Sequence, residues 1–426
     1  MSDEYRPSNG LNRPSGAGLG LDRQPPAAAD APEVSRFSRV ESHSRPASLG
    51  EIAREWGRIG CVGFGGPPAH ITLLRELCVQ RRGWLSAAEF EDAIAACNLL
   101  PGPASTQLAI FCAWRVRGRT GALVGGLGFI GPGLAAIVGL AILFLAGTPP
   151  TWVRGAGAGA GAAVAAVAVR AGTELIPASW ARAAVHARWA AYALLGGLAG
   201  ALLGAWLVLV LIACGLAEVL LRRSRTGSPN LGSHGWPLAA AGVAGASGGL
   251  LALVWTALKV GALSYGGGFV IVPLMQGDAV HRYHWMTDPQ FINAVALGQV
   301  TPGPVTHTVA VVGYAAAGVG GALLAALVAF LPSFAFVLLG ARHFDRLRRN
   351  PGVLAFLDGA GPAAVGAILG SALPLGLALT EPWQAAVLAA AAAALLLAHR
   401  GVVAVLLAAG AAGAVLGALG AGVPGS

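Results

Sequence analysis

Charge is what this chain has least of. Only 11% of its 426 residues are Asp, Glu, Lys or Arg, against about 25% in an ordinary soluble domain. With 55% apolar residues and a mean hydropathy of +0.67, that deficit excludes a water-soluble globular protein. Cysteine is sparse as well. Cys61, Cys78, Cys97, Cys112 and Cys214 show neither CxxC nor Cys/His spacing, so the sequence offers no metal site and the thiols read as small apolar side chains. HExxH, G-x-S-x-G and P-loop patterns are all missing. Hydrolytic and nucleotide chemistry therefore has no foothold, and the expectation is a non-enzyme without catalytic residues or cofactor.

What is present is uncharged length. Gly121–Gly147, Ala190–Leu221 and Gly401–Val423 are nearly charge-free runs, each long enough for a hydrocarbon core of about 30 Å. Gly supplies 63 residues, as in helices that pack closely in lipid. The net charge of +9 comes from Arg at the ends of apolar segments, which is topology signalling toward membrane lipids rather than nucleic-acid binding. Residues 1–46 are rich in Pro, Ser and Arg and lack an apolar core. They read as a disordered tail.

The chain repeats itself 201 residues on. Gly60, Phe64-Gly65-Gly66-Pro67, Arg81, Trp84, Phe90 and Pro101-Gly102-Pro103 recur as Gly261, Tyr265-Gly266-Gly267-Gly268, Arg282, Trp285, Phe291 and Pro302-Gly303-Pro304. After a one-residue slip, Pro132 matches Pro332, and Gly159-Ala160-Gly161 matches Gly359-Ala360-Gly361. The expected organisation is a first repeat over 47–222, a linker over 223–237 and a second repeat over 238–426.

Helix breakers inside apolar sequence set the local geometry. Ser86 and Glu89 form a capping box that starts a helix near Ala87. The helix is expected to stop at Leu100, before Pro101 and Gly102. A second helix then runs from Pro103 to about Val116. Arms of about 14 residues reach roughly 21 Å, too short to span singly and too long together for one straight crossing. A re-entrant helical hairpin with Pro-Gly-Pro at its tip satisfies both limits, and Thr287, Asp288 and Pro289 open its counterpart.

Arg81, Arg82, Arg115, Arg117 and Arg119 flank the first hairpin. In the second half the basic loop is the next one along, with Arg342, Arg346, Arg348 and Arg349. The basic loops thus fall at opposite ends of the same element. The fold expected is an all-α integral membrane protein, a duplicated inverted-topology repeat with re-entrant hairpins, in which the segment near 238–258 supplies the crossing that inverts the second half.

Paired interrupted segments in two halves point to a substrate site. A helix starting at the midplane offers free N–H groups and its positive dipole end to an anion. Gly102, Ser105, Thr106 and Gln107 follow one break; Gly303, Thr306, His307 and Thr308 follow the other. The turns Gly65-Gly66 and Gly266-Gly267 permit close backbone approach, and Arg58 and Lys259 are matched cations just before them. Substrate contact is expected from this set. Packing, capping and snorkelling explain the same residues individually. Ionisable groups within apolar sequence are further candidates: His70, Glu76, Asp358 and His307. Glu91 and Asp92 lack counterparts in the second half and are the proton-coupling candidates. Together these residues point to a secondary transporter of a small oxyanion.

At G-F-G-G-P (Gly63–Pro67), Y-G-G-G-F (Tyr265–Phe269) and the two P-G-P breaks, the chain resembles the chromate ion transporter family in its long, two-domain form. The resemblance runs from about residue 47 to the C-terminus, with Gly268 replacing the first copy's Pro67. It implies export of chromate from the bacterial cytoplasm, driven by the proton motive force and giving chromate resistance, by a multi-pass protein of the inner membrane. The residues alone leave open sulfate or another oxyanion, uptake instead of export, a membrane protein handling lipid phosphates, and the oligomeric state. Reporter fusions after Thr120 and after Gly320 are expected to lie on opposite sides of the membrane; finding both on one side would contradict the inversion.

Overall fold

The computed structural model describes residues 47–98, 100, 102–145, 147, 149–226, 249–264, 268–340 and 350–424. The described residues are helical, with no β-strand among them. The expected tail at 1–46, most of the linker, and the basic residues from Arg342 to Arg349 lie outside them.

Helix α1 (Leu49–Val62) starts at Ser48, whose hydroxyl accepts the Glu51 amide, and stops at Gly63. Helix α2 (Pro67–Arg75) continues into a π-helical turn, Glu76–Arg81. Helix α3 (Ala87–Cys97) opens on the expected capping box: the Ser86 hydroxyl accepts from the Glu89 amide, and the Glu89 carboxylate accepts from the Ser86 amide. Its last residue is Cys97, three before the expected Leu100, with Asn98 as the cap. Helix α4 (Ala104–Leu145) starts one residue after the expected Pro103. Its first arm does end near Val116, where Arg117 and Gly118 (φ 62°) leave helical geometry before the chain resumes as a second helix.

Then come α5 (Thr151–Ala162), α6 (Val164–Ala181), α7 (His186–Leu202) and α8 (Leu207–Thr226). The apolar run Ala190–Leu221 is therefore two helices, turned at Leu203–Trp206, and α8 extends into the segment expected as linker. Helix α9 (Leu250–Leu263) precedes α10 (Ile271–Gln276), again followed by a π-helical turn, Gly277–Arg282. Only the end of the crossing expected near 238–258 is described, as part of α9. Helix α11 (Asp288–Val300) opens on a second capping box, Thr287 with Gln290. The chain after the second Pro-Gly-Pro differs from the expected α-helix. Val305–His307 is a 3-10 turn, and α12 (Thr308–Gly340) begins only afterwards. Helix α12 breaks at Ala317 and Gly318 (φ 63°), 200 residues after the break in α4. Helices α13 (Pro351–Leu377), α14 (Pro382–Ala392) and α15 (Val402–Ala418) complete the chain.

Ala104–Leu145, Thr151–Ala181, Val305–Gly340 and Pro351–Leu377 are long and apolar enough to cross a membrane. Their outward faces carry large aliphatic side chains, including Leu127 (63% exposed), Leu327 (67%) and Leu377 (76%), while many of their Ala and Gly residues are buried. That inside-out pattern suits lipid, where small residues bring helices together. Between α5 and α15, a Cβ on Gly413 would fall 2.8 Å from the Gly159 Cα. Between α7 and α13, a Cβ on Gly200 would fall 3.0 Å from the Ala367 carbonyl carbon. Helices far apart in sequence thus pack backbone to backbone.

An ion pair links α3 to the first arm of α4. Glu89, in the opening turn of α3, pairs with Arg115 near the end of the first arm of α4, with side chains 18% and 8% exposed.

Candidate functional site

The two Pro-Gly-Pro tips are each seated on the opposite half. At the first, Gly102 has φ 116°, a conformation that suits glycine. A Cβ there would come within 3.2 Å of the Gly261 carbonyl oxygen on α9 and 3.4 Å of Ser333 Oγ on α12. At the second, Gly303 has φ 96°, and its N–H donates to the Gly63 carbonyl at 2.9 Å. A Cβ on Gly133 of α4 would fall 2.7 Å from His307 Cε1 and closer still to the Pro302 carbonyl oxygen.

His70 ties the first tip into the same junction. Its Nε2 lies 2.9 Å from the Gly63 carbonyl oxygen and its Nδ1 lies 3.2 Å from Ser105 Oγ. A carbonyl only accepts, so Nε2 carries the proton, and the Ser105 hydroxyl donates to Nδ1. Phe129 packs edge-on against the ring at 5.0 Å. Ser105, His70, Gly63 and Gly303 thus form one hydrogen-bonded chain from tip to tip. In the second half a direct Ser264–Thr306 hydroxyl contact, 3.2 Å, takes the corresponding place, and Ile271 stands where the first half has His70.

Several polar atoms around the tips are buried without a partner: Thr106 Oγ1, Ser333 Oγ and both ring nitrogens of His307, all on residues no more than 1% exposed. The Ile130 carbonyl faces the His307 ring without a well-formed hydrogen bond, and Phe330 lies edge-on to it at 5.3 Å. A buried polar group without a partner costs about 1–3 kcal/mol. Such a cluster beside two helix starts is chemically suited to an acceptor-rich ligand. None of the residues named in these contacts is Asp, Glu, Lys or Arg, so donors and helix dipoles would carry the recognition.

The other sequence candidates are distributed as follows. Gln107 is buried beside Gly102. The Thr308 hydroxyl donates to the Val305 carbonyl at 2.8 Å, a local cap. Gly65 (φ 99°) and Gly66 (φ 73°) shape the turn, and Gly65 is exposed. Gly266 and Gly267 lie outside the described residues. Arg58 pairs with Glu55 at 3.5 Å, and Lys259 pairs with Asp278. Glu91, 55% exposed at its side chain, pairs with Arg75, and Asp92 is half-buried on the same helix. Glu76 is exposed, and Asp358 receives Arg222 at 2.7 Å.

Sequence reasoning read Gly63 only as the start of a helix-breaking turn, passed over the structural roles of Gly133 and Ser333, and overlooked Asp278. This carboxylate is fully buried, accepts from Thr256 at 3.0 Å and neutralises Lys259, with Oδ1 left unpartnered. A lone Asp following the apolar run Phe269–Met275 was the available signal.

Away from the tips, Arg82 reaches Glu51 at 2.8 Å and Glu55 at 2.7 Å and lies over Trp84, which stacks on Trp56. Burial pushes the Glu55 carboxyl up, but the Arg82 hydrogen bond and the charges of Arg82, Arg58 and Arg81 outweigh it and hold the group below its ordinary value. This clamp therefore contributes above the ordinary carboxylate range and fades as pH falls through the lowered value. A separate cleft of about 580 Å³, lined by Val280, Trp285, Asp288 and Thr380 among others, presents a carboxylate and is poorly suited to an anion.

The family model described as chromate transporter matches residues 50–219 and again 251–414. The chain belongs to the chromate transporter family. It is 32% identical to the chromate transport protein of Cupriavidus metallidurans over 348 residues, covering 78% of this chain and 84% of that one. It is 31% identical to the chromate transport protein of Pseudomonas aeruginosa over 401 residues, covering 90% and 96%. No solved structure gives a significant match. In this member of the chromate transporter family, the two matched segments contribute one tip each.

The seating of the tips can be tested by stability. Gly133→Ala places a methyl against the Pro302 carbonyl and His307 and is expected to cost about 1–3 kcal/mol in detergent unfolding. Gly131→Ala, with open space around it, is expected to be neutral. Equal behaviour of the two variants would show that the second tip does not sit on Gly133.

Proposed function

We propose that this protein is a secondary transporter that exports chromate across the cytoplasmic membrane, driven by the proton motive force, and so confers chromate resistance. The observation that carries the proposal is the set of orphaned donors at the meeting point of two helix starts, Thr106 and Ser333 beside one and His307 beside the other. Such a site offers hydrogen bonds and dipoles to a small tetrahedral dianion without a countercharge. The substrate reading draws on the relatives, which are named chromate transport proteins.

The proposed architecture is the inverted-topology repeat with re-entrant hairpins, with repeats over 47–222 and 238–426. It is supported by the paired capping boxes, by the matching breaks at Gly118 and Gly318, and by the family model matching twice. In this reading Gly65 and Gly66, the four tip residues of each half and the two cations Arg58 and Lys259 surround the path. The cations act at a distance, since each is paired. Sulfate shares the shape and charge of chromate, and helix starts discriminate poorly between them. Transport of sulfate or uptake instead of export is therefore the second reading.

Inverted vesicles test the proposal. They are expected to accumulate chromate when energised and to lose that accumulation with a protonophore; no chromate flux would refute it, and sulfate competition reports selectivity. Thr106→Val removes an unpartnered hydroxyl and is expected to raise the KM about ten-fold, the order of one hydrogen bond to a charged group. Thr306→Val, whose hydroxyl already has Ser264, is expected to do less. Normal flux in the double variant would remove these hydroxyls from the site.

A further inference from the structure

We propose that His70 is the group that couples proton uptake to oxyanion binding, acting through the Ser105 hydroxyl. The proposal rests on the anion site above and adds a proton to it. His70 is fully buried, and its two nitrogens are committed to Gly63 and Ser105. In the neutral ring Nε2–H donates to the Gly63 carbonyl and Nδ1 accepts the Ser105 O–H, so that hydroxyl is turned away from any ligand at the first turn of α4.

A proton arriving from water binds the Nδ1 lone pair. Nδ1–H now donates to the Ser105 oxygen, and the Nε2–H bond to Gly63 is unchanged. The Ser105 O–H, displaced from Nδ1, needs another acceptor, and an anion oxygen at the helix start supplies one. No other bond is made or broken, and on release the same proton leaves Nδ1 as the hydroxyl turns back. Proton uptake thus converts Ser105 from a donor to His70 into a donor to substrate.

Charge makes the two events mutually dependent. The ring is faced by the Gly63 carbonyl from the end of α1, by Ser105 and Phe129 from α4, and across the interface by His307, its titratable neighbour. No carboxylate, Lys or Arg among the described residues is recorded in contact with it or acting on it electrostatically. On its own helix Arg75 is turned to Glu91. A buried imidazolium without countercharge is costly, and so is a buried dianion. Each supplies what the other lacks, so each raises the other's affinity, as linkage requires.

Because Ile271 replaces His70 in the second half, the device exists once, and it carries one proton with each anion. A dianion then crosses with a single net negative charge, and an inside-negative potential drives the loaded site outward.

Calorimetric titration of the full chain in detergent with chromate, and with sulfate as the anion that keeps its charge near neutral pH, decides the matter. Buffers of different ionisation heat count the protons. The wild type is expected to take up about one proton per anion and to bind about ten-fold tighter per unit fall in pH. His70→Gln offers an amide N–H to Gly63 and an oxygen to Ser105 but takes no proton. It is expected to bind with no uptake and no pH dependence, whereas Glu91→Gln and Asp92→Asn keep both.

Ser105→Ala leaves the ring in place and is expected to weaken binding at low pH far more than at high pH. Binding without proton uptake by the wild type, uptake surviving in His70→Gln, or an equal Ser105→Ala loss at all pH values would each overturn the proposal. Failure of the wild type to bind either oxyanion would instead defeat the anion site itself.

Discussion

A single carbonyl, that of Gly63, holds the centre of this protein together. It stands at the end of α1, where helix geometry gives way to the glycine turn. Its oxygen accepts from His70 of the same half and from the Gly303 amide of the other, using both lone pairs. Through His70 it positions Ser105 and the first tip; through Gly303 it positions the second. The surrounding glycines follow from that constraint. Gly133 has no room for a side chain because Pro302 and His307 lie against it, and Gly102 has none because Gly261 and Gln107 do. Two pieces of chain that would be expensive breaks in isolation become the parts of one junction.

The chemistry of the junction is that of dipoles. The described residues in contact there carry hydroxyls, imidazoles and backbone amides, while the nearby cation Lys259 is neutralised by Asp278 and Arg58 by Glu55. Fixed full charges would hold a dianion too tightly for turnover, since a transport site must bind well enough to load and weakly enough to release. Orphaned donors give attraction without that trap. Their price in the empty state is an unsatisfied buried cluster, at Thr106, Ser333 and His307, which a bound oxyanion would relieve. In this account release accompanies loss of the His70 proton, as the Ser105 hydroxyl turns back to the ring.

Much of this was legible in residues whose effects are local. The capping boxes at Ser86 and Thr287, the turn at Gly63 and the interruption at each Pro-Gly-Pro act within a few positions, and the structure has them where the sequence places them. The exact helix ends were less so. Asn98 closes α3 ahead of Pro101, and the turn after Pro304 winds tightly before α12 begins. What stayed hidden were contacts between distant segments. His70 was a candidate as an ionisable group within apolar sequence, but its partner Ser105 lies 35 residues away. Glu91 and Asp92 were singled out because the second half has Ile292 and Asn293 in their places. The structure places Glu91 on an exposed face with Arg75 as its partner, so asymmetry in sequence does not separate a buried group from a solvated one. Asp278 was hidden because nothing in its own segment shows that Lys259 and Thr256 close over it.

The central claim is that both tips grip one anion, and chromium itself provides the probe. An anomalous difference map of crystals grown with chromate, recorded at the chromium absorption edge, should show a single peak within hydrogen-bonding reach of both the Ser105–Thr106 turn and His307. Two separate peaks, one per tip, or a peak in the cleft beside Trp285 would contradict the account.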